Sequence, residues 1–366
     1  MHVHESLSNA GLRVWLARTS ALDRYLRLAS PGVTFLDVEG SLVDIARVFE
    51  HVRYPGIDGL DAYIFDAEVG DVYIRCIDPQ DAPTEEWLPP LTLRYDLERG
   101  AFEDPSNMYR AIRKRRYSFR SSQSQSLETV LAAALLAGRY GFTIDNSDAL
   151  GLPPKPRALE AAEHRLLITL LLTGKQPESG LALLKSSGFI DHYWPLLAPM
   201  DDTDHSKEFH PEGNVWQHSL ETFRYRKSSD LTVGLALLFH DCGKPYAKAE
   251  GEHRFKNHAD IGAESAGRFL IGVGFSNGLV EEVRWLIKHH MIPGAIERLP
   301  RFRTRDIMRS PRFPRLLELY RCDLSSTFRG PDGYYRACKV YRSFLKHDAN
   351  PFRDGEGKKL LHRFVD

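Results

Sequence analysis

Imidazole and carboxylate side chains stand at the ends of several apolar, helix-like segments of this 366-residue chain. The stretch LALLFHDCGK ends its apolar run in His240 and Asp241, and HPEGNVWQHSLETF places His218 on an early helical turn. Both kinds of group are costly to bury unless they are paired or bound to something. A mixed set of nitrogen and oxygen donors suits a transition metal or zinc better than calcium. The pattern therefore predicts a divalent metal ion, and it leaves Mn, Ni, Fe, Co, Mg and Zn open.

Three later segments add donors of the same two types. KNHADIGAESA contains His258, WLIKHHMIPG contains His289 and His290, and LYRCDLSST contains Asp323. A divalent ion held by donors from separate helices activates water and neutralises charge on a phosphoryl oxygen. A histidine at a helix end is often only a capping cation or a satisfied core residue. The recurrence of His or Asp at the ends of apolar helices favours the metal over that alternative.

The bulk composition limits the class of protein. Hydrophobic residues make up 42% of the chain, which excludes general disorder, and 49 basic residues balance 49 acidic ones. A neutral chain has no global attraction to nucleic acid or membrane. The four cysteines form no CxxC pair, the segment MHVHESLSNAGLRVW lacks a signal-peptide pattern, and the apolar run LLITLLL is too short to span a bilayer. We therefore expect a cytoplasmic protein with reduced thiols and no membrane association.

The sequence of predicted elements indicates an α+β protein that is mostly α. GVTFLDV, DVYIRCID and LTLRYDL have strand character, whereas LVDIARVFEHV has apolar residues at helical spacing. After about Ser126 nearly every segment is helical, beginning with SLETVLAAALLAGRYGF and RALEAAEHRLLITLLLTG. DPQDAPTEEWLPP is predicted to be a connector. We predict a small α/β head over 1–125, a helical neck over 126–205, and an all-helical domain with the metal site over 206–366.

Five segments, in their order along the chain, resemble a known family: HPEGNVWQHSLET, LLFHDCGKP, NHADIGAESA, IKHHM and RCDLSS. They are similar to the HD phosphohydrolase domain, and more narrowly to the one appended to bacterial CCA-adding tRNA nucleotidyltransferases and poly(A) polymerases. With the helices upstream of them, the resemblance covers roughly residues 127–345. It implies an RNA-binding-like neck followed by a metal-dependent phosphohydrolase domain.

The resemblance also implies roles for individual residues. The metal ligands would be His218, His240, Asp241 and Asp323. His258 and one of His289 or His290 would be supporting ligands or phosphate contacts, and Lys244 would contact phosphate. The residues expected to take part in catalysis are therefore Asp241, Lys244, His258 and His290.

The nucleotidyltransferase head of that family is not intact in this sequence. The family needs a Gly-Gly phosphate loop and two acidic residues, one residue apart, that hold Mg²⁺ for a two-metal phosphoryl transfer. Trp15 and Ala17 stand where acids would be needed, and in the neck only Arg139 remains of the arginines that select the nucleotide. We therefore expect a degenerate head. Five of its acidic residues offer either a rearranged metal site or ordinary surface charge: Asp37, Glu39, Asp61, Asp66 and Asp71.

Two arginine-rich segments are candidate RNA contacts. The predicted phosphate-binding residues lie in MYRAIRKRRYSFR, with one more in the neck: Arg110, Arg113, Lys114, Arg115, Arg116 and Arg139. Tyr109, Tyr117 and Phe119 lie in the same segment, which suits backbone contacts combined with base stacking. ERLPRFRTRDIMRSPRFPR adds seven arginines between Arg298 and Arg315. A solvated helix face paired with acids elsewhere is the alternative.

Three functions are compatible with these observations. The first is a metal-dependent phosphohydrolase that cleaves a phosphomonoester or a 2′,3′-cyclic phosphodiester of a nucleotide or an RNA 3′ end. The second is a tRNA nucleotidyltransferase of the CCA-adding or poly(A) polymerase type, and the third is a non-catalytic RNA-binding relative. All three predict a nucleotide or an RNA such as tRNA as partner, and none fixes the oligomeric state.

Overall fold

The computed structural model describes residues 2–78, 89–204, 213–249, 255–327 and 329–347. The chain divides into two compact units, Met1–Leu171 and Leu172–Asp366. This division falls inside the predicted neck, so the three predicted regions stay a prediction. Most of the predicted connector at 78–90 and the predicted boundary between 205 and 206 lie outside the described residues.

The first unit is a mixed α/β structure whose elements are short. Its α-helices are α1 (Val3–Asn9), α2 (Arg18–Leu26), α3 (Leu42–Val48), α4 (Tyr109–Lys114), α5 (Leu127–Tyr140) and α6 (Ala161–Leu172), the last of which ends at the boundary. Its strands are β1 (Arg13–Leu16), β2 (Val33–Glu39), β3 (Ala62–Asp66), β4 (Gly70–Ile77), β5 (Arg94–Asp96), β6 (Ala101–Glu103), β7 (Arg116–Ser118) and β8 (Thr143–Asp145).

Six of these strands form one sheet in the order β3-β4-β2-β1-β5-β6. The pair β2 and β4 is parallel, with Asp37 opposite Arg75, and the other neighbours are antiparallel. The core of the sheet consists of apolar residues from β1 to β4 packed against α1 and α3: Val3, Leu7, Val14, Leu36, Val38, Ile45, Ala62, Ile64, Val72 and Ile74. Strands β7 and β8 pair in a separate parallel sheet.

The second unit is helical within its described residues, apart from one two-stranded sheet. Its helices are α7 (Pro177–Ser186), α8 (Phe189–Tyr193), α9 (Val215–Phe223), α10 (Leu231–Phe239), α11 (His258–Gly272), α12 (Asn277–His289), α13 (Ile292–Ala295), α14 (Arg301–Arg309), α15 (Phe313–Ser325) and α16 (Asp332–His347). Strands β9 (Lys248–Ala249) and β10 (Phe255–Lys256) pair antiparallel. The predicted α+β class, mostly α, is confirmed.

Short 3₁₀ turns lie between the main elements of both units: Pro89–Thr92, Ser121–Gln123, Ser147–Ala149, Ala198–Met200 and Lys244–Tyr246. None of the helices in the described ranges combines the length and the apolar character that crossing a bilayer requires.

A buried ion pair connects α5 to α2 inside the first unit. Arg139 is 1% exposed, and its Nε and Nη2 donate to the two carboxylate oxygens of Asp23 at 2.9 and 2.8 Å. The guanidinium also donates to the carbonyl oxygens of Leu170 and Ala29 at 3.2 and 3.3 Å. Burial raises the pKa of Asp23, and the hydrogen bonds from Arg139 oppose that rise. The pair is therefore a structural element of the first unit.

We expect Arg139→Met to lower the free energy of unfolding by about 3–5 kcal/mol, because it leaves a buried carboxylate without its counter-charge. Asp23→Leu combined with Arg139→Met should recover much of that loss, since the remaining surfaces are apolar. Urea denaturation of the full chain measures both. The exposed pair of Arg116 and Asp145 is the control, and Arg116→Met should leave the denaturation midpoint nearly unchanged. Equal effects of the buried and exposed substitutions would contradict this account.

Candidate metal centre

His240 and Asp241 follow directly on the last turn of α10, as predicted. Leu231–Phe239 is buried on almost every side, and Asp230 caps its start by accepting from the backbone N–H groups of Thr232 and Val233 at 2.9 and 3.3 Å. His240 is 1% exposed and Asp241 2%. The helix therefore carries an imidazole and a carboxylate into the interior of the second unit.

Gly243 brings this segment against the first turn of α11. A Cβ atom at position 243 would lie 2.1 Å from the carbonyl oxygen of His258 and 2.5 Å from the backbone nitrogen of Gly262. Backbone atoms cannot move aside cheaply, so the close approach requires glycine. The contact places His258 Nε2 3.6 Å from Asp241 Oδ1.

The other predicted donors come from three further helices. His218 lies in the second turn of α9 and is 1% exposed, and Asp323 lies in the last turn of α15. His290 follows α12 and is 2% exposed. Three helices and the ends of two more thus deliver the donors to one place.

The donors form two groups of three, and the carboxylate of Asp241 lies between the groups. In the first group, His218 Nε2 is 3.0 Å from Asp323 Oδ1 and 3.4 Å from His240 Nε2. In the second, His258 Nε2 is 3.3 Å from His290 Nε2, which is 3.7 Å from Asp241 Oδ1. Asp241 Oδ2 is 3.3 Å from His240 Nε2. The predicted four-ligand set with two supporting histidines is thus arranged as two linked triads.

Backbone carbonyls determine the tautomer of three of these histidines. Nδ1 of His240, His258 and His290 lies 2.9, 2.8 and 2.7 Å from the carbonyl oxygens of residues 237, 255 and 287. A carbonyl oxygen only accepts, so each Nδ1 carries the proton and each neutral ring has its lone pair on Nε2. All three Nε2 atoms therefore direct a lone pair into the cluster.

Ser326 orients the fourth imidazole, and the sequence analysis missed it. Its hydroxyl donates to the carbonyl oxygen of Asp323 at 2.7 Å, so its oxygen accepts from Nδ1 of His218 at 3.3 Å. His218 then faces Asp323 through Nε2. A serine three residues after Asp323, on the same face of α15, is the signal that points to this role.

The arrangement fits divalent ions. The Nε2 lone pairs of His258 and His290 lie 3.3 Å apart and repel one another unless a cation lies between them. Burial lowers the pKa of His258, and it lowers the pKa of His290 to about 4, which disfavours a proton in the second triad. Imidazole and carboxylate donors are the usual surroundings of a bound transition metal or zinc. The second ring nitrogen of each such imidazole is usually held by a hydrogen bond, as it is in this cluster.

The carboxylates of Asp241 and Asp323 both favour the ionised form, in which they can bind a cation. Burial alone would raise the pKa of Asp241, but the positive charge of Lys244 beside it holds the pKa well below its ordinary value. Burial would likewise raise the pKa of Asp323, and the hydrogen bond from His218 lowers it instead. His218 Nε2 and Asp323 Oδ1 lie 3.0 Å apart, and a divalent ion bound by both would take the place of the hydrogen bond between them. Lys244 Nζ lies 2.6 Å from Asp241 Oδ2.

His289 does not join the cluster, which corrects the prediction that it is a supporting ligand. Its Nδ1 donates to the carbonyl oxygen of Trp285 at 2.7 Å, and its ring lies 4.6 Å from the Trp285 ring. His290 continues the buried face of α12 through Val283 and Ile287, whereas His289 projects about 100° away from it. The helical period therefore distinguishes the two neighbours.

The predicted RNA contacts divide into exposed and buried residues. Arg110, Arg113, Lys114 and Arg116 are exposed, and Arg116 pairs with Asp145 at 2.8 Å. Arg115 is half-buried and donates to the carbonyl oxygen of Tyr140. The exposed residues remain predicted RNA contacts.

Arg139 and two aromatic residues do not fit the predicted role. Arg139 is buried and held by Asp23, so a phosphate cannot reach its guanidinium, and its prediction as an RNA contact is corrected. Tyr117, in the middle of β7, and Phe119, just after that strand, are 6% and 7% exposed, so both rings are buried in the core. They cannot stack on bases.

We expect the protein to bind two divalent ions per chain, one for each triad. His290→Gln should remove one ion, because it takes a donor from the second triad and leaves the first intact. His289→Gln is the matched control and should keep both. Equilibrium dialysis against Mn²⁺ or Ni²⁺ with elemental analysis measures the stoichiometry. A single ion in the wild type, or equal losses in the two variants, would contradict the two-triad arrangement.

A family model described as HD domain matches residues 215–323 of this chain. The matched range begins just before His218 and ends at Asp323, so it contains both triads. The range lies within the region 206–366 that was predicted to carry the metal site.

Among characterised proteins, the CC-adding tRNA nucleotidyltransferase of Thermus thermophilus is 32% identical over 219 residues, which are 56% of this chain and 49% of that protein. The chain thus spans about half the length of this relative.

Two solved structures resemble the chain over most of its length. The Bacillus stearothermophilus CCA-adding enzyme in complex with CTP has a TM-score of 0.54 and 13% identity, covering 94% of this chain and 80% of that one. The Thermotoga maritima CCA-adding enzyme complexed with tRNA(CCA) has a TM-score of 0.46 and 13% identity, covering 94% and 81%. At 13% identity, the likeness to the Bacillus stearothermophilus enzyme concerns the fold alone. Residues 215–323 are therefore an HD domain, and the chain is related to CCA-adding tRNA nucleotidyltransferase, with a nucleotidyltransferase-like N-terminal fold.

Proposed function

We propose that the HD domain is a metal-dependent phosphohydrolase that cleaves a phosphomonoester or a 2′,3′-cyclic phosphodiester of a nucleotide or an RNA 3′ end. The observation that carries the proposal is the convergence of four imidazole Nε2 atoms and two carboxylates in one cluster. Divalent ions, when bound there, supply an activated water and neutralise charge on the phosphoryl group. The ligands would be His218, His240, Asp241, His258, His290 and Asp323.

Differences in exposure favour one side of the cluster as the entrance for a phosphate. The side chains of His218, His240, Asp241 and His290 are at most 3% exposed, whereas those of Asp323, Lys244 and His258 are 23%, 13% and 12% exposed. The phosphate therefore enters past these three side chains. A phosphate that enters there would contact Asp323, Lys244 or His258 first.

Lys244 is the residue best placed to hold the phosphate. Its ammonium is a compact charge on a flexible stem with three donors, and it lies at the accessible side of the cluster. Lys244 Nζ contacts Asp241 Oδ2 at 2.6 Å, and ions held by Asp241 would neutralise that carboxylate and leave the ammonium able to contact a phosphoryl oxygen. His258, on the same side, donates Nδ1 to a backbone carbonyl, which holds its ring in place.

Hydrolysis of 2′,3′-cyclic AMP and of an aryl phosphate with Mn²⁺ or Ni²⁺ tests this function. We expect Asp241→Asn to lower the rate at least about a hundredfold, because bound metal supplies several kcal/mol of transition-state stabilisation. His289→Gln, which changes a neighbouring histidine outside the triads, should keep the wild-type rate. Hydrolysis that survives in Asp241→Asn would refute the proposed site.

The comparisons with known proteins favour a second candidate, a tRNA nucleotidyltransferase, and they support it better than they support the hydrolase. The relative from Thermus thermophilus carries that activity in its name, and the fold resembles a CCA-adding enzyme that binds CTP. Because the chain spans about half of this relative, its activity stays a proposal.

The described head gives this second candidate little support from its carboxylates. Asp37 accepts two hydrogen bonds from Arg75 at 2.9 and 2.8 Å and lies 2.7 Å from Arg94 Nε. Asp61 accepts from the backbone nitrogen of Cys76, and Asp71 accepts from the Tyr63 hydroxyl, both at 2.7 Å. Asp66 accepts from backbone nitrogens of residues 68 and 69. These bonds favour structural roles for the acids.

Incorporation of labelled CTP or ATP into a tRNA that lacks its 3′ end distinguishes the two candidates. A nucleotidyltransferase incorporates label in the wild type and in Asp241→Asn alike, since the HD ligands lie outside the head. A protein that acts only as the proposed hydrolase incorporates none in either form. Label in both forms, without ester hydrolysis, would replace the first candidate by the second.

We also propose RNA, and tRNA in particular, as the partner, and the cytoplasm as the location. The relative from Thermus thermophilus is named for a reaction on tRNA, and the enzyme from Thermotoga maritima is described as complexed with tRNA(CCA). Free thiols at all four cysteines are consistent with a reducing compartment.

A further inference from the structure

Helix α16 has one buried and one basic face. Ala337, Tyr341 and Phe344 are buried at helical spacing. The opposite face carries four exposed residues at i, i+4, i+7 and i+11, which we name the α16 stripe: Tyr335, Lys339, Arg342 and Lys346. Such spacing places them in one row along the helix.

The stripe is strongly positive and faces solvent. The sole acidic residue of α16 is Asp332, in its first turn, and Arg336 beside the stripe pairs with Glu297 at 3.2 Å. Within the described part of the chain, no ion pair involves Lys339 or Lys346. A solvated helix face normally alternates charges, so a row of one sign points to an anionic partner.

The first turn of α16 lies close to the helix that carries Asp323. A Cβ atom at Gly333 would lie 2.6 Å from the hydroxyl oxygen of Tyr320, so the two helices touch there. Tyr320 is one turn before Asp323 on α15. At 1.5 Å per residue the stripe extends for about 16 Å from this contact.

We propose that the α16 stripe binds the sugar–phosphate backbone of a single-stranded RNA end, with Tyr335 as a stacking surface for a base. Lysine and arginine in a row match the regular spacing of phosphates, and an aromatic ring stacks on any base. Tyr335 is 63% exposed and stands at the end of the stripe nearest Asp323. The further step, in which this RNA end reaches the metal centre, rests on the proposed function.

Fluorescence anisotropy with a short fluorescein-labelled oligo(A), in EDTA, tests the binding. The variant Lys339→Gln with Lys346→Gln removes two charges from the stripe. We expect its affinity at ~0.1 M salt to fall about 20-fold and the slope of log K against log salt to fall by about 1.4, because each single-strand phosphate contact contributes about 0.7. The matched control, Lys175→Gln with Arg268→Gln, removes two exposed charges from the same unit outside α16 and should bind as the wild type does.

Equal losses in the two variants would overturn the proposal, since the effect would then be one of net charge. Binding to phosphatidylserine vesicles without binding to oligo(A) would also overturn it. The binding assay needs no metal, so it decides the proposal even where the wild type hydrolyses nothing. Where hydrolysis is present, the stripe variant should keep its rate on an aryl phosphate and lose it on an RNA 3′ end, whereas Asp241→Asn should lose both rates and still bind oligo(A).

Discussion

Repulsion among the donors of the HD domain is the constraint on which its structure depends. Four imidazoles direct Nε2 into one small volume, and Asp241 and Asp323 add two negative charges there. Their second nitrogens are already held by backbone carbonyls or by Ser326, so rotation of the rings cannot relieve the contacts. The packing of α9, α10, α11, α12 and α15 holds these donors together, and cations bound among them would offset the repulsion. The apolar helices hold together imidazoles and carboxylates that would otherwise separate.

The sequence predicted the helices and the residues at their ends better than it predicted the grouping of those residues. An apolar run that stops at His240 can be recognised locally, because almost every residue of α10 is apolar. The choice between His289 and His290 was also present in the pattern, since Val283, Ile287 and His290 share a face. The grouping of the donors into two triads was not present in the sequence pattern. It depends on Gly243 packing against α11, a contact between segments that no local pattern encodes.

Charged residues were harder to place than apolar ones. Arg139 ends a run of alanine and leucine whose composition indicates burial, but its partner Asp23 lies 116 residues away in the chain. Tyr117 and Phe119 seemed to be accessible because their neighbours are basic, but both rings are buried in the core. A basic segment therefore does not expose all of its side chains, and in α16 only the helical period separates the exposed row from the buried one.

The kind of cation beside each carboxylate distinguishes the candidate metal centre from the described head. Asp37 is buried between Arg75 and Arg94, and the planar fork of Arg75 engages both of its oxygens. Replacing that arrangement with a metal would leave two guanidinium groups buried without a counter-charge. Asp241 instead faces one lysine on a flexible stem at the accessible side of the site, and this ammonium could turn toward a phosphate if ions neutralised Asp241. The same residue type is thus a structural anchor in one unit and a candidate metal ligand in the other.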